Sequence, residues 1–307
     1  MIWEKFKKNL WLLCLHMLLL RKVKVSSTFC AAALLLLLVA AYFWKPLLNP
    51  SQMFYSSHSD IVNYIGKLHY LEYISFKAHG QIPLWNPYSL FGNTHVGNNV
   101  SWLFYPFFLP YLLSNSPFID TINFVSHFFM LGFFTFLYVK RISGSSFAAI
   151  FSATAIMFTG RMLLLPYTGH IFFLGLAYFP LFLLLAELII EKQRFLYSFI
   201  FALALTLQLL STHIQMVIYS AAVLVLYIMF RVLGEFRSSK SSGGVKHHLL
   251  LFAASFVLFV LFSAFQLLPL LQYSLISDRG IADKAFAASH SFYLLNFPTI
   301  VLPNLLG

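Results

Sequence analysis

The 307-residue chain is 60% hydrophobic and only 9% charged, with a mean hydropathy of +0.81. That composition excludes a water-soluble globule and leaves an integral membrane protein. The formal charge of +11 is accounted for by orientation in the bilayer and contact with anionic lipid, with no nucleic-acid partner required.

The chain opens with "MIWEKFKKNLWLLCLHMLLLRKVKV". Its apolar centre is short, basic on both flanks and followed by no small-residue cleavage site, so residues 1–27 read as a cytoplasmic interfacial helix rather than a signal peptide. The only cysteines, Cys14 and Cys30, form neither a disulfide framework nor a metal-ligand spacing and read as packing residues. The polytopic membrane domain then runs over residues 28–307. About seven apolar segments approach the 20 or so residues that a helix needs to cross the hydrocarbon core. They run from Thr28 to Lys45, Phe118 to Val139, Phe147 to Pro166, Ile171 to Ile190, Phe195 to Leu210, Ile214 to Arg231 and Leu249 to Leu271. The fold class is therefore all-α, with a large first outer loop at 46–100. Val100 to Leu113 is apolar but interrupted by Pro106 and Pro110, which predicts a re-entrant or interfacial piece. With the N-terminus inside, 14 of the 20 basic residues fall on the cytoplasmic side, and every inner turn carries at least a basic pair, as the positive-inside rule requires. The inner stretch Arg237 to His248, rich in Ser and Gly, reads as a flexible loop without chemistry.

Polar groups collect on the other face. Only Asp60, Glu72, Asp120, Asp278 and Asp283 are outer carboxylates. In the first outer loop Ile61, Ile65, Leu68 and Leu71 recur at helical spacing, with Asn63, Lys67, Glu72 and His79 elsewhere, predicting an amphipathic helix. Ser59 is its expected N-cap, and Asp60 sits in its first turn, where a carboxylate also has the ordinary role of complementing the helix dipole. Next comes "GQIPLWNPYSLFGNTHVGNNV", Gly80 to Val100. Pro83 and Pro87 predict a rigid extended turn. Gly92 and Gly97, with Asn93, Asn98 and Asn99, predict tight turns and left-handed backbone. Trp85, Tyr88 and Trp102 also fit an interfacial aromatic belt, which leaves the density of amides unexplained.

This stretch, extended to "GQIPLWNPYSLFGNTHVGNNVSWLFYP", resembles the early outer-loop signature of the bacterial YfhO-type membrane protein family. Three further stretches agree in order and spacing: "SHSD" before the loop helix, "FTGRMLLLPYTGHIFFLGLAYFPLFLL" around the third and fourth spans, and "STHIQMVIYS" at the sixth; the closing "PNLLG" is similar as well. The chain departs from the family pattern at Asn93, where a second glycine is usual, and at Arg161, where an apolar residue is more typical. The resemblance implies a GT-C-like glycosyltransferase of the bacterial cell membrane. Such an enzyme takes sugar from a polyprenyl-phosphate carrier and decorates a cell-surface polymer of the teichoic-acid type at the outer face, with a carrier-loading glycosyltransferase and a flippase as partners. It implies Asp60 as the catalytic acid residue, and Trp85, Asn86, His170, His213 and Gln215 as residues lining the site. The chain stops at Gly307 where the family pattern leads into more outer loop and further spans, so an N-terminal portion of a longer protein is expected.

The chemistry stands on its own terms. Asp60 can remove the acceptor proton, or bind a divalent metal that meets the phosphate, although no metal-ligand motif is present. Arg161 can clamp the phosphate in paired hydrogen bonds or simply snorkel to the interface; Arg279 and Lys284 are weaker candidates of the same kind. His170 and His213, at later outer turns, suit hydrogen bonding better than metal ligation. The competing class is a lipid or solute transporter, which would bury ionisable groups near the midplane; here they gather on one face. A non-catalytic remnant is the third reading.

Overall fold

The computed structural model describes residues 27–52, 54, 56, 59–89, 91–239 and 242–276, and residues 288, 291, 293–300, 302 and 305 near the C-terminus. The basic segment 1–26 with Cys14, as well as His58, Asp278, Arg279, Asp283, Lys284 and most of the closing "PNLLG", lie outside the described residues.

Apolar surroundings offer the backbone no hydrogen-bond partner, so each apolar segment closes its own bonds as a helix. The result is an all-α polytopic membrane protein. Helix α1 spans Ser27–Tyr42 and α2 Trp44–Leu48; the outer loop holds a π-turn, Ile61–Ile65, leading into α3, Gly66–His79. After the hairpin strands β1 (Trp85–Asn86) and β2 (Asn93–Thr94) come α4 (Leu109–Leu113), α5 (Pro117–Ser143), α6 (Ser146–Met157), α7 (Gly160–Thr168), α8 (Phe172–Leu176), α9 (Phe179–Lys192), α10 (Phe195–Ser211), α11 (Ile214–Ser239) and α12 (Ser242–Ile276). Five stretches are long and apolar enough to cross a membrane: Pro117–Ser143, Ser146–Thr168, Phe172–Lys192, Ile214–Glu235 and Gly244–Ile276. Two shorter apolar helices, α1 and α10, occupy the remaining expected positions.

Two spans are interrupted, which hydropathy alone does not foresee. The third breaks after Met157, and Thr159 restarts it as the N-cap of α7, its hydroxyl accepting from the Met162 N–H. The fourth begins as the single-turn α8 and resumes as α9 at Phe179, with Pro180 in its first turn, where no N–H is missed. Helix α12, at 35 residues, extends about 50 Å at 1.5 Å per residue, well beyond a hydrocarbon core of about 30 Å. The segment Val100 to Leu113 is broken into short turns and packs inward: Phe108 and Tyr105 are fully buried, and the Tyr105 hydroxyl lies 2.6 Å from His127 Nε2 within α5. It packs against α5 without forming a span of its own.

Residues expected on one side of the membrane meet one another. Arg141 pairs with Glu191, Arg231 makes a two-pronged contact with Glu187, and the Tyr227 hydroxyl donates to Glu187 as well. Lys140 Nζ reaches Ser27 Oγ at 2.6 Å, and Gln193 Nε2 lies 3.0 Å from His248 Nε2. These contacts bring the start of α1 and the α5–α6, α9–α10 and α11–α12 connections to one end of the bundle.

Two packing expectations are corrected. Cys30 is exposed, because α1 buries only the stripe Ala31, Leu35 and Val39. Trp102 is no belt residue: it is buried beside His69, with ring centroids 4.9 Å apart.

Helices α5 and α6 pack closely, with the Ala149 and Ala153 side chains fully buried. A Cβ on Gly132 of α5 would lie 2.1 Å from Met157 Sδ, so any side chain there requires Met157 to move aside; small residues at such contacts are the usual device of helix pairs in lipid. Gly132→Val is expected to lower stability by about 1–3 kcal/mol, read as a lower unfolding midpoint in detergent, with partial recovery on adding Met157→Ala. An unchanged midpoint would show that the Met157 side chain yields without cost.

Candidate functional site

Asp60, His170 and His213, distant in sequence, line one cleft of about 760 Å³ at the end of the bundle opposite the basic pairs. Its walls are the start of the loop helix (Asp60, Tyr64), the island residues Gly97 to Val100, the turns at His170 and His213, and the end of α12 (Leu270, Tyr273, Ser274). Its volume is typical of small-molecule sites. No lysine or arginine is among the lining residues.

A glycine creates the central contact. Gly169 has φ +70°, and a Cβ there would stand 2.6–2.7 Å from the backbone nitrogens of Asp60 and Ile61 and from Ser59 Oγ. Its absence lets the turn after α7 lie directly on the start of the loop helix, and His170 Nδ1 comes within 3.1 Å of Asp60 Oδ2. The same contact corrects the expected cap. The Ser59 carbonyl accepts from Asn63 N at 3.0 Å, but its hydroxyl is buried without a hydrogen-bond partner, sealed by Gly169. Phe172 then aligns the histidines, its ring centroid 5.8 Å from that of His170 and 5.9 Å from that of His213.

The amides of the island act as ties. Asn99 Nδ2 donates to Thr212 O at 2.9 Å, directly before His213, and Thr212 Oγ1 donates to Ile171 O at 3.1 Å. Gln266 Nε2 of α12 donates to Val96 O at 2.9 Å, and Asn98 Nδ2 donates to Tyr64 Oη at 2.6 Å. Burial holds the Tyr64 phenol above its ordinary value, so it keeps a proton to donate. Among the described island residues, Gly80, Phe91 and Gly92 have left-handed, positive-φ backbone. Gly97 and the three asparagines do not; Gly97 is instead needed for closeness, lying against Thr94, the Pro269 carbonyl and Tyr273.

The remaining candidates separate. Asn86 lines a second cleft with Tyr64, Lys67 and Tyr88, and its side-chain oxygen accepts from Tyr88 N at 3.0 Å. Trp85 packs its indole against Gly92. Gln215 donates to Tyr219 Oη at 2.7 Å, and Arg161 is exposed near the start of α7. Trp85, Gln215 and Arg161 are not among the residues lining the Asp60 cleft. Among the described residues no group of three or more His, Cys, Asp or Glu is placed to hold a metal ion.

Sequence reasoning missed a buried polar core under the island. Glu72, expected on the polar side of the loop helix, is fully buried and lies 2.6 Å from His95 Nε2, with His69 also buried next to Trp102 and Tyr111. The signal was present: Ile61, Ile65, Leu68 and Glu72 follow one 4-3-4 stripe, which puts Glu72 on the apolar face. Desolvation raises the Glu72 carboxyl well above its ordinary range and lowers His95 to about 4 and His69 to about 3. The pair is therefore neutral, with one shared proton, since low-polarity surroundings penalise separated charge more than they reward the attraction.

Comparison of the chain with protein-family models, curated proteins and solved structures yields no match.

Two predictions follow from this geometry. Gly169→Ala is expected to push His170 away from Asp60 and destabilise the outer face by more than the 1 kcal/mol or so typical of the residue exchange alone. Faster amide hydrogen exchange at residues 59–65, with α5 unchanged, would report it. Glu72 and His95 also give a signed pH dependence. Between pH 4.5 and 6.5 the unfolded pair and the folded pair each carry one proton, so they contribute no slope. Above pH 6.5 the folded pair retains a proton that the unfolded chain has lost, and stability falls as pH rises towards the raised Glu72 value. His69, kept neutral, adds stability above pH 6.5 that is lost as pH falls towards 3. Glu72→Gln is expected to flatten the loss of melting temperature between pH 7 and 9 and to steepen the acid limb below pH 6.5, where neutral His95 no longer has the Glu72 proton to offset it; equal alkaline slopes would show that Glu72 is ionised in the fold.

Proposed function

We propose that this chain is a GT-C-like glycosyltransferase of the bacterial cell membrane, with its N-terminus cytoplasmic and its Asp60 cleft on the outer face. It transfers a sugar from a polyprenyl-phosphate donor to a cell-surface polymer of the teichoic-acid type. The observation that carries this reading is the convergence of Asp60 and His170, 3.1 Å apart, with His213 in a cleft whose walls include span ends. A lipid-borne donor is confined to the membrane plane, so a site at span ends meets it already positioned. Ile171, Phe172, Ile214 and Leu270 offer the start of its tail an apolar wall. The basic residues clustered at the opposite end of the bundle support the orientation.

In this reading His170 holds the Asp60 carboxylate, which removes the proton from an acceptor hydroxyl as its oxygen attacks the anomeric carbon. The bond from that carbon to the phosphate oxygen breaks and its electron pair leaves with the phosphate, which His213 and the Asn98 and Asn99 amides are near enough to receive as hydrogen-bond donors. The alternative use of Asp60 is to meet the phosphate through a divalent ion, which chelation separates from proton removal.

Transport remains the second reading because of one observation. His127 is fully buried in α5 between the Tyr105 hydroxyl, 2.6 Å away, and the Asn123 carbonyl, 2.7 Å away. It lies about 15 Å along the helix from Pro117, where an ionisable residue marks a functional site by default.

The test is polymer glycosylation in cells lacking the gene, complemented with the longest natural form of the chain, unaltered or as Asp60→Asn, at matched membrane levels. Asp60→Asn is expected to lose at least about 100-fold of the transfer rate. Equal transfer would remove Asp60 from the chemistry. A defect in both that is relieved by supplying outer-leaflet donor would favour transport.

A further inference from the structure

The second cleft, about 510 Å³, is lined by Tyr64, Tyr70 and Tyr88 with Lys67, Asn86 and Ser89 over a floor of Leu68, Leu71 and Ile74. Helix α3, its entering π-turn and the hairpin alone supply these residues; none comes from a span. Tyr70 and Tyr88 are 51% and 80% exposed, a poor arrangement for ring carbons unless something covers them. Tyr64 lines both this groove and the Asp60 cleft, so the two share a wall.

We propose that this groove binds a saccharide, and that it is the acceptor subsite of the Asp60 cleft. The chemistry is that of a sugar ring. The negative faces of tyrosine rings attract the weakly positive C–H face of a pyranose, and phenol, carboxamide and hydroxyl groups meet its hydroxyls. Asn86 is held for this task by the bond from Tyr88 N to its side-chain oxygen, which fixes the amide plane. Lys67 is the only charged residue in the lining, which favours a neutral or phosphate-bearing saccharide and disfavours a cationic ligand. The assignment to acceptor follows from position: the donor's lipid tail must approach along the spans, which reach the Asp60 cleft and not the groove. Only the word acceptor rests on the transfer reading.

The experiment measures binding without turnover. The full chain in lipid nanodiscs is titrated with maltotriose, cellotriose and chitotriose, each also as its reducing-end phosphate, and followed by saturation-transfer NMR. At least one trisaccharide is expected to bind with its ring C–H protons in closest contact. Tyr88→Ala is expected to weaken it about tenfold and Tyr88→Phe less than about threefold, as stacking requires. Lys67→Gln should weaken only the phosphorylated form. No binding by the unaltered chain, or binding undiminished in both Tyr88→Ala and Tyr70→Ala, would overturn the groove; so would lipid acyl chains crosslinking to a photoreactive group at position 88. Tyrosine-dependent binding by a chain that transfers no sugar would sink the transfer reading and leave the groove standing. Transfer with an acceptor KM unmoved by Tyr88→Ala would do the reverse.

Discussion

The outer face of this protein depends on the close approach of two backbones, the turn at Gly169 and the start of the loop helix at Ser59 to Ile61. Every heavier residue at position 169 would meet backbone nitrogens rather than a yielding side chain, so the approach has no gradual alternative. What it brings together is the Asp60 carboxylate and the His170 imidazole. The rest of the outer structure holds the loop against that contact.

That support comes from polar ties of a kind that apolar spans can bear only in small numbers. Asn99 reaches Thr212, Gln266 reaches Val96 and His95 reaches Glu72. Each joins the island to a different part of the molecule, and each satisfies a buried polar group that would otherwise cost about 1–3 kcal/mol. The crowding of amides between Gly80 and Val100 thus has a structural role first. The same ties leave the Asp60 cleft and the tyrosine groove on either side of Tyr64, which belongs to both.

Much of the architecture is legible in the sequence, because lipid imposes one rule on every span and hydropathy reads that rule directly. All seven apolar segments became helices, and the proline-interrupted piece forms no span of its own. The breaks at Thr159 and before Phe179 were not legible, since they lie within apolar runs and depend on local caps and on the neighbouring turn. At the site, the resemblance pointed to Asp60, and the outer turns to His170 and His213, and these line one cleft. Asn86 went to a separate groove and Trp85 under Gly92, outcomes set by a hairpin register that no local propensity announces. Glu72 was hidden by its chemistry: a carboxylate on an apolar stripe is read as a polar residue out of place, when burial has made it a neutral hydrogen-bond donor.

Helix α12 is longer than the hydrophobic layer it crosses, and its far end, with Tyr273 and Ser274, is a wall of the Asp60 cleft. A rod too long for its slab must tilt or protrude, and the balance shifts with the thickness of the slab. One wall of the cleft is thus a helix end whose height is expected to follow the thickness of the bilayer.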